Sequence, residues 1–139
     1  MNIRSLFWLI GASAGLVAGC GAPEGRMTVY PFEGKVTLKG EPAAGARIVF
    51  HPNAPFEDKD ADYPRAVAGE DGTFRLTTYE DDDGAPAGDY RVTIDMATQA
   101  EGLQKREDPL KGRYRDPARS GLTAVVKAGQ NEPVVFPLK

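Results

Sequence analysis

Few residues in this 139-residue chain have the types that carry chemistry: one cysteine, one histidine and two runs of acids. Cys20 closes a short apolar segment, and a thiolate is the strong nucleophile among ordinary side chains. His51 stands at the end of an apolar stretch, directly before Pro52. Hydrolytic or transfer chemistry needs a nucleophile, a base and a group that orients the base. With a single histidine, no second cysteine and no Gly-x-Ser-x-Gly, that set cannot be assembled in the usual way. His51 is therefore expected as a surface or turn residue. Ser120 has a hydroxyl for a Ser-Lys pair, but no spacing supports one. A carboxylate pair could run a glycosidase mechanism, and 20 acids supply such pairs by number alone. The expectation is no catalytic residue and no cofactor.

The acids invite a test for metal. Asp58, Asp60 and Asp62 alternate, and Glu80 is followed by Asp81, Asp82 and Asp83. Calcium takes clustered oxygen ligands in flexible loops. The first run lacks the glycine and the closing glutamate of a calcium loop, and the second runs straight into Gly84. Both read as solvated turns, and no metal site is assigned. Zinc and iron have too few soft or imidazole ligands. The opposite charge gathers between Lys105 and Arg119, where Tyr114 sits between Arg113 and Arg115. This stretch could hold an anionic partner such as a cell-wall polymer. The favoured reading is that it lies against an acidic loop and is neutralised internally.

The first 19 residues have a different character. Arg4 precedes the run Leu6-Phe7-Trp8-Leu9-Ile10, and small residues follow up to Gly19. One positive charge, a short apolar stretch and a small-residue end form the layout of a secretory signal sequence. The apolar part falls short of the roughly 20 residues that span a bilayer. Val17-Ala18-Gly19-Cys20 resembles the bacterial lipobox. That resemblance implies diacylglycerol on the Cys20 thiol, cleavage after Gly19, and acylation of the new amine. Several acyl chains on one residue anchor stably where one alone is marginal. Residues 1–19 are thus expected as a lipoprotein signal peptide and Cys20 as the lipidation site.

Removing 1–19 takes away Arg4 and no acid, so the formal charge of −3 becomes −4 over about 120 residues. That is the size of one domain. A mildly acidic domain is a poor partner for nucleic acid or anionic lipid, so attachment to the membrane is expected through lipid alone. Residues 20–31, with Gly21, Pro23, Gly25 and Pro31, read as a lipidated N-terminus and short tether.

Residues 32–139 read as strands and turns. Strands are expected at 34–38, 46–50, 65–68, 73–79, 90–96, 122–127 and 133–138. Phe74, Leu76 and Thr78 should share one face, and so should Tyr90, Val92, Ile94 and Met96, leaving Arg91, Thr93 and Asp95 to water. Asp71-Gly72 is a hairpin signal, and Lys39-Gly40-Glu41-Pro42 a second turn. Residues 97–121 lack strand character, with one helical turn expected near 98–106. Two prolines in the last strand argue for an edge. Short strands without a long helix favour an antiparallel sandwich, with a barrel as the runner-up.

Several motifs in one order carry a wider resemblance: Gly34-Lys35-Val36, Gly45 to Phe50, Glu70-Asp71-Gly72-Thr73-Phe74, Gly84-Ala85-Pro86-Ala87-Gly88-Asp89-Tyr90, and then Arg113-Tyr114-Arg115, Ser120-Gly121-Leu122-Thr123 and Gly129-Gln130-Asn131. Residues 32–138 resemble the carboxypeptidase regulatory-like, transthyretin-like domains, in the short lipoprotein form common in planctomycete bacteria. Pro109-Leu110 departs from the family's order before the basic-Tyr segment. The resemblance implies an all-β, seven-stranded antiparallel Greek-key sandwich of the prealbumin type, without catalytic residues. The functional expectation is a non-enzymatic exported lipoprotein. Its domain would face the periplasm or cell exterior, with a structural or binding role toward a cell-envelope polymer or protein. The alternatives are a small-ligand carrier formed at an oligomer interface and a carboxylate-based enzyme acting on envelope glycans.

Overall fold

The computed structural model describes residues 24–96 and 108–139. The segment expected as a signal peptide, Cys20 and the helical turn expected near 98–106 lie outside the described residues. What is described is all-β: β1 (Val29–Tyr30), β2 (Glu33–Leu38), β3 (Glu41–Pro42), β4 (Arg47–Pro52), β5 (Arg65–Val67), β6 (Thr73–Arg75), β7 (Ala85–Pro86), β8 (Gly88–Asp95), β9 (Leu122–Val126) and β10 (Val134–Leu138). Each of the seven segments expected from sequence contains a strand. The other three are two-residue pairings, too short to show an alternating pattern.

Two four-stranded sheets form. One has the order β5-β4-β8-β9; in the other, β2 pairs with β10, β3 and β6. A small third pairing joins β1 to β7. The expectation of a wholly antiparallel fold needs correction here. β10 runs parallel to β2, from Val134 opposite Gly34 to Leu138 opposite Leu38. Strands so far apart in sequence share no tight turn, so nothing local forces them antiparallel. β10 is instead delivered from β9 by a crossing between sheets. Asn131 organises that crossing, accepting from Lys127 N (2.8 Å) and donating to Lys127 O (3.0 Å).

One core lies between the two sheets. Along β8, Tyr90, Val92 and Ile94 are buried while Arg91 is exposed, as a period of two requires. Phe74, Leu76 and Thr78 are likewise all buried. Phe50 of β4 packs edge-on against Phe136 of β10, with centroids 6.4 Å apart, and against Phe32 at 5.3 Å. Each such ring, fully buried, contributes roughly 1.5–3 kcal/mol. Thr93 breaks the expected alternation, because it is buried rather than facing water. Its hydroxyl lies 2.9 Å from His51 Nε2, which caps it on the outer face of the sheet.

Turn chemistry sets the strand ends. Lys39 (φ 50°) and Gly40 (φ 85°) form a two-residue turn with both central residues at positive φ, the kind that matches strand twist. The Asp71 carboxylate accepts from Thr73 N (3.0 Å) and Thr73 Oγ1 (2.7 Å). The chain returns antiparallel across that turn, as the hairpin signal implies: Gly69 N donates to Thr73 O at 2.9 Å and Arg65 bridges Thr77, while β5 and β6 make their main pairings in different sheets. Gly34 has no room for a side chain: a Cβ would stand 2.7 Å from the Phe74 ring and 2.7 Å from Val134 O. Gly34→Ala should therefore cost about 1–3 kcal/mol through overpacking. Urea unfolding checks this, with a lowered midpoint and an unchanged slope expected.

Candidate functional site

The end of the domain that receives the N-terminal segment is built in detail. Residues 20–31 were expected to be a tether, but their last part belongs to the fold. Val29 and Tyr30 pair with Pro86 and Ala85. Tyr30 O passes so close to Gly84 that a Cβ there would sit 1.9 Å away, and Gly84 also has φ +103°. Upstream, Tyr79 Oη accepts from Met27 N (3.1 Å) and donates to Asp58 (2.7 Å). Arg26 lies over the Tyr79 ring at 4.9 Å and reaches Glu80 at 3.5 Å. Two loops and the incoming chain thus meet on one tyrosine. Partial burial, then the bond to Asp58, raises the Tyr79 phenol above its ordinary value of 10.0. The same bond is the first cause holding Asp58 below the usual carboxylate range.

Of the acids raised as calcium ligands, Asp58, Asp62 and Asp83 have structural tasks. The Asp83 carboxylate accepts from the backbone N–H groups of Thr78 (2.7 Å), Tyr79 (3.0 Å) and Glu80 (2.9 Å). A carboxylate facing three amides closes a turn without a cation. Asp58 takes Asp60 N and the tyrosine, and Asp62 pairs with Arg65 at 3.0 Å. Among the described residues, no three acids, histidines or cysteines gather as metal ligands would.

The basic segment is neutralised differently from the expectation. Its described part, 108–119, meets neither acidic loop. Arg115 reaches Asp95 (3.0 Å) and Asp108 (3.3 Å), and Arg119 reaches Asp116 (3.7 Å). Asp108 also accepts from Leu110 N and Gly112 N, which turns the chain and buries Leu110. Tyr114 is buried, its carbonyl accepting from Ile94 N at 3.0 Å, so the segment extends the edge of β8 beyond β9. Ser120 Oγ accepts from Leu122 N in a turn.

His51 is half-buried near the end of β4. Tyr63 packs edge-on against it at 5.4 Å. An open groove of about 550 Å³ lies beside the N-terminal entry and includes Glu33, Arg75, Asp82, Gln130 and Asn131. A second, of about 500 Å³, continues over Lys35, Thr73 and Val135. Glu33 and Arg75, 3.5 Å apart, belong to both. Sequence reading missed this concavity because Glu33 and Arg75 become neighbours only when β2 and β6 pair.

No family model matches the chain. No curated protein matches it. Among solved structures it is similar to a DUF3823 family protein from Parabacteroides merdae at 17% identity, with a TM-score of 0.41. The match covers 81% of this chain and 46% of that one, so the chain spans less than half of the other protein's length.

Two outcomes follow from this geometry. Tyr79→Phe removes two hydrogen bonds and should cost about 1–2 kcal/mol. Hydrogen exchange should then quicken at Met27 while the β8 amides stay protected at a stability lowered only by that amount. Burial holds the His51 pKa below its ordinary value of 6.5. The unfolded chain binds the proton more readily, so stability is full above 6.5 and falls as pH drops toward the folded value. The thermal midpoint should decline from pH 7.5 to 5.5, and His51→Gln should flatten that decline.

Proposed function

We propose that this chain is an exported lipoprotein, held on a bacterial membrane by acyl chains on Cys20. Its domain faces the periplasm or exterior and serves a non-enzymatic binding or structural role at the envelope. The observation that carries this reading is the position of the one cysteine, directly after Val17-Ala18-Gly19 and an apolar run. The described fold is compatible with it. The chain is clasped from Arg26 onward, and an extended stretch from Cys20 to Met27 spans at most about 25 Å. The clasped end would therefore lie near the bilayer. An unpaired thiol is an odd thing to leave free in an exported protein, and acylation removes it.

We also assign the domain to the seven-stranded Greek-key prealbumin type of the carboxypeptidase regulatory-like modules. The orders β5-β4-β8-β9 and β6-β2-β10 support this, since the chain changes sheet between β2 and β4, β5 and β6, β6 and β8, and β9 and β10. The parallel β2–β10 pair is then the closing step of the key. The open groove at Glu33 and Arg75 favours a binding role.

Intact-mass analysis of the exported chain tests the function. A start at Cys20 with a diacylglyceryl addition is expected, and Cys20→Ser should move the protein from the membrane to the soluble fraction. Cleavage elsewhere with an unmodified thiol would overturn the reading.

A further inference from the structure

The cations of residues 108–119 fall into two groups. Arg115 and Arg119 are held by Asp95, Asp108 and Asp116. Lys111 and Arg113, on the same segment, are exposed and have no ion-pair partner among the described residues. The fold brings two more such cations to them. Lys39, in the β2–β3 turn, donates its backbone N–H to Leu138 O at 3.0 Å. The next residue, Lys139, donates its backbone N–H to Tyr114 Oη at 3.3 Å. The Arg113 guanidinium lies over the Tyr114 ring, 5.7 Å from its centroid. Lys39 and Lys139 are exposed and equally without an acid partner. Three segments distant in sequence thus bring Lys39, Arg113 and Lys139 to the neighbourhood of one buried tyrosine, and Lys111 stands two residues before Arg113.

This patch sits at the far end of β2 from the N-terminal entry, roughly 17 Å along the strand. The acids Glu80, Asp82 and Asp83 lie at the entry end, near Arg26 and Tyr30. The patch and these acids thus lie at opposite ends of β2. Like charges held together without counter-charge repel one another, and a polyanion relieves that repulsion.

We propose that the patch of Lys39, Lys111, Arg113 and Lys139 binds an acidic polysaccharide, an extended sugar chain with closely spaced anionic groups. The four cations come from three separate segments, an arrangement that suits an extended anion with repeated charges more than a single small one. The Tyr114 ring is buried and Arg113 lies over it, so no open aromatic face remains on which nucleic-acid bases would stack. The patch also points away from the anchored end, which separates it from the lipid surface. The choice of polysaccharide rests on the exported-lipoprotein reading; the binding measurement does not, because lipid state is read separately by mass.

The test uses the purified exported chain in detergent with four probes: polygalacturonate, heparin, neutral dextran and single-stranded DNA. Binding to at least one acidic polysaccharide is expected, weakening as salt rises, with dextran unbound and DNA bound more weakly. The two acidic probes separate carboxylate from sulfate recognition. The triple variant Lys39→Gln, Arg113→Gln, Lys139→Gln should lose affinity roughly tenfold or more at low salt. A control of equal charge change, Lys59→Gln, Arg91→Gln, Lys127→Gln, should keep it. All six side chains are exposed, and an unchanged circular dichroism spectrum confirms folding. Equal loss in both triple variants, no acidic-polysaccharide binding by the parent chain, or DNA bound as tightly as the polysaccharide would overturn the proposal.

Discussion

The fold depends on Phe50 having aromatic neighbours on more than one side. Its ring meets Phe136 from the opposite sheet, Phe32 from the segment entering β2, and Tyr90 from β8 at 5.6 Å. With one cysteine in the chain, no internal disulfide can tie the layers together. Apolar contact between the sheets must therefore supply that tie. Edge-on aromatic pairs add about 0.5–1.5 kcal/mol beyond their buried area. They also fix the spacing and rotation of the sheets, which a core of small aliphatic side chains does less sharply.

Tyrosines extend this hold to the chain's margins. Tyr90 buries its ring in the core and donates to Pro86 O at 2.6 Å, locking the return between β7 and β8. Burial shifts its phenol far above the ordinary value, so it stays a donor at any working pH. Tyr79 fastens Met27 to the loop carrying Asp58, and Tyr114 fastens Lys139. In each case an apolar ring provides position and one hydroxyl satisfies a backbone group. The ordered ends leave two unlike faces: acids at the entry end, and unpaired cations beyond β2. That separation suits the proposed module, held at one end and presenting the other.

Much of the strand pattern was legible because it repeats over several residues. Tyr90-Val92-Ile94 and Phe74-Leu76-Thr78 declare their buried faces by period alone. The pairings β1–β7 and β2–β3 were not legible, since two residues show no period. The direction of β10 was hidden because strand polarity depends on a partner about 100 residues away. Thr93 misled for a different reason: its burial comes from His51 on the neighbouring strand, and nothing around Thr93 in sequence announces that cap. The basic segment was expected against an acidic loop, whereas its described arginines pair with Asp95, Asp108 and Asp116. Asp95 and Asp108 flank the residues 97–107, and only the fold returns Arg115 to both. The patch around Tyr114 draws on three segments, so no linear pattern could reveal it.

The most direct measurement of the shared core is a double-mutant cycle on Phe50→Leu and Phe136→Leu, followed by urea unfolding. A ring contact bridging two sheets predicts a coupling energy of about 0.5–1.5 kcal/mol. Effects that add within about 0.3 kcal/mol would mean that the two rings do not interact, contradicting a single core between the sheets.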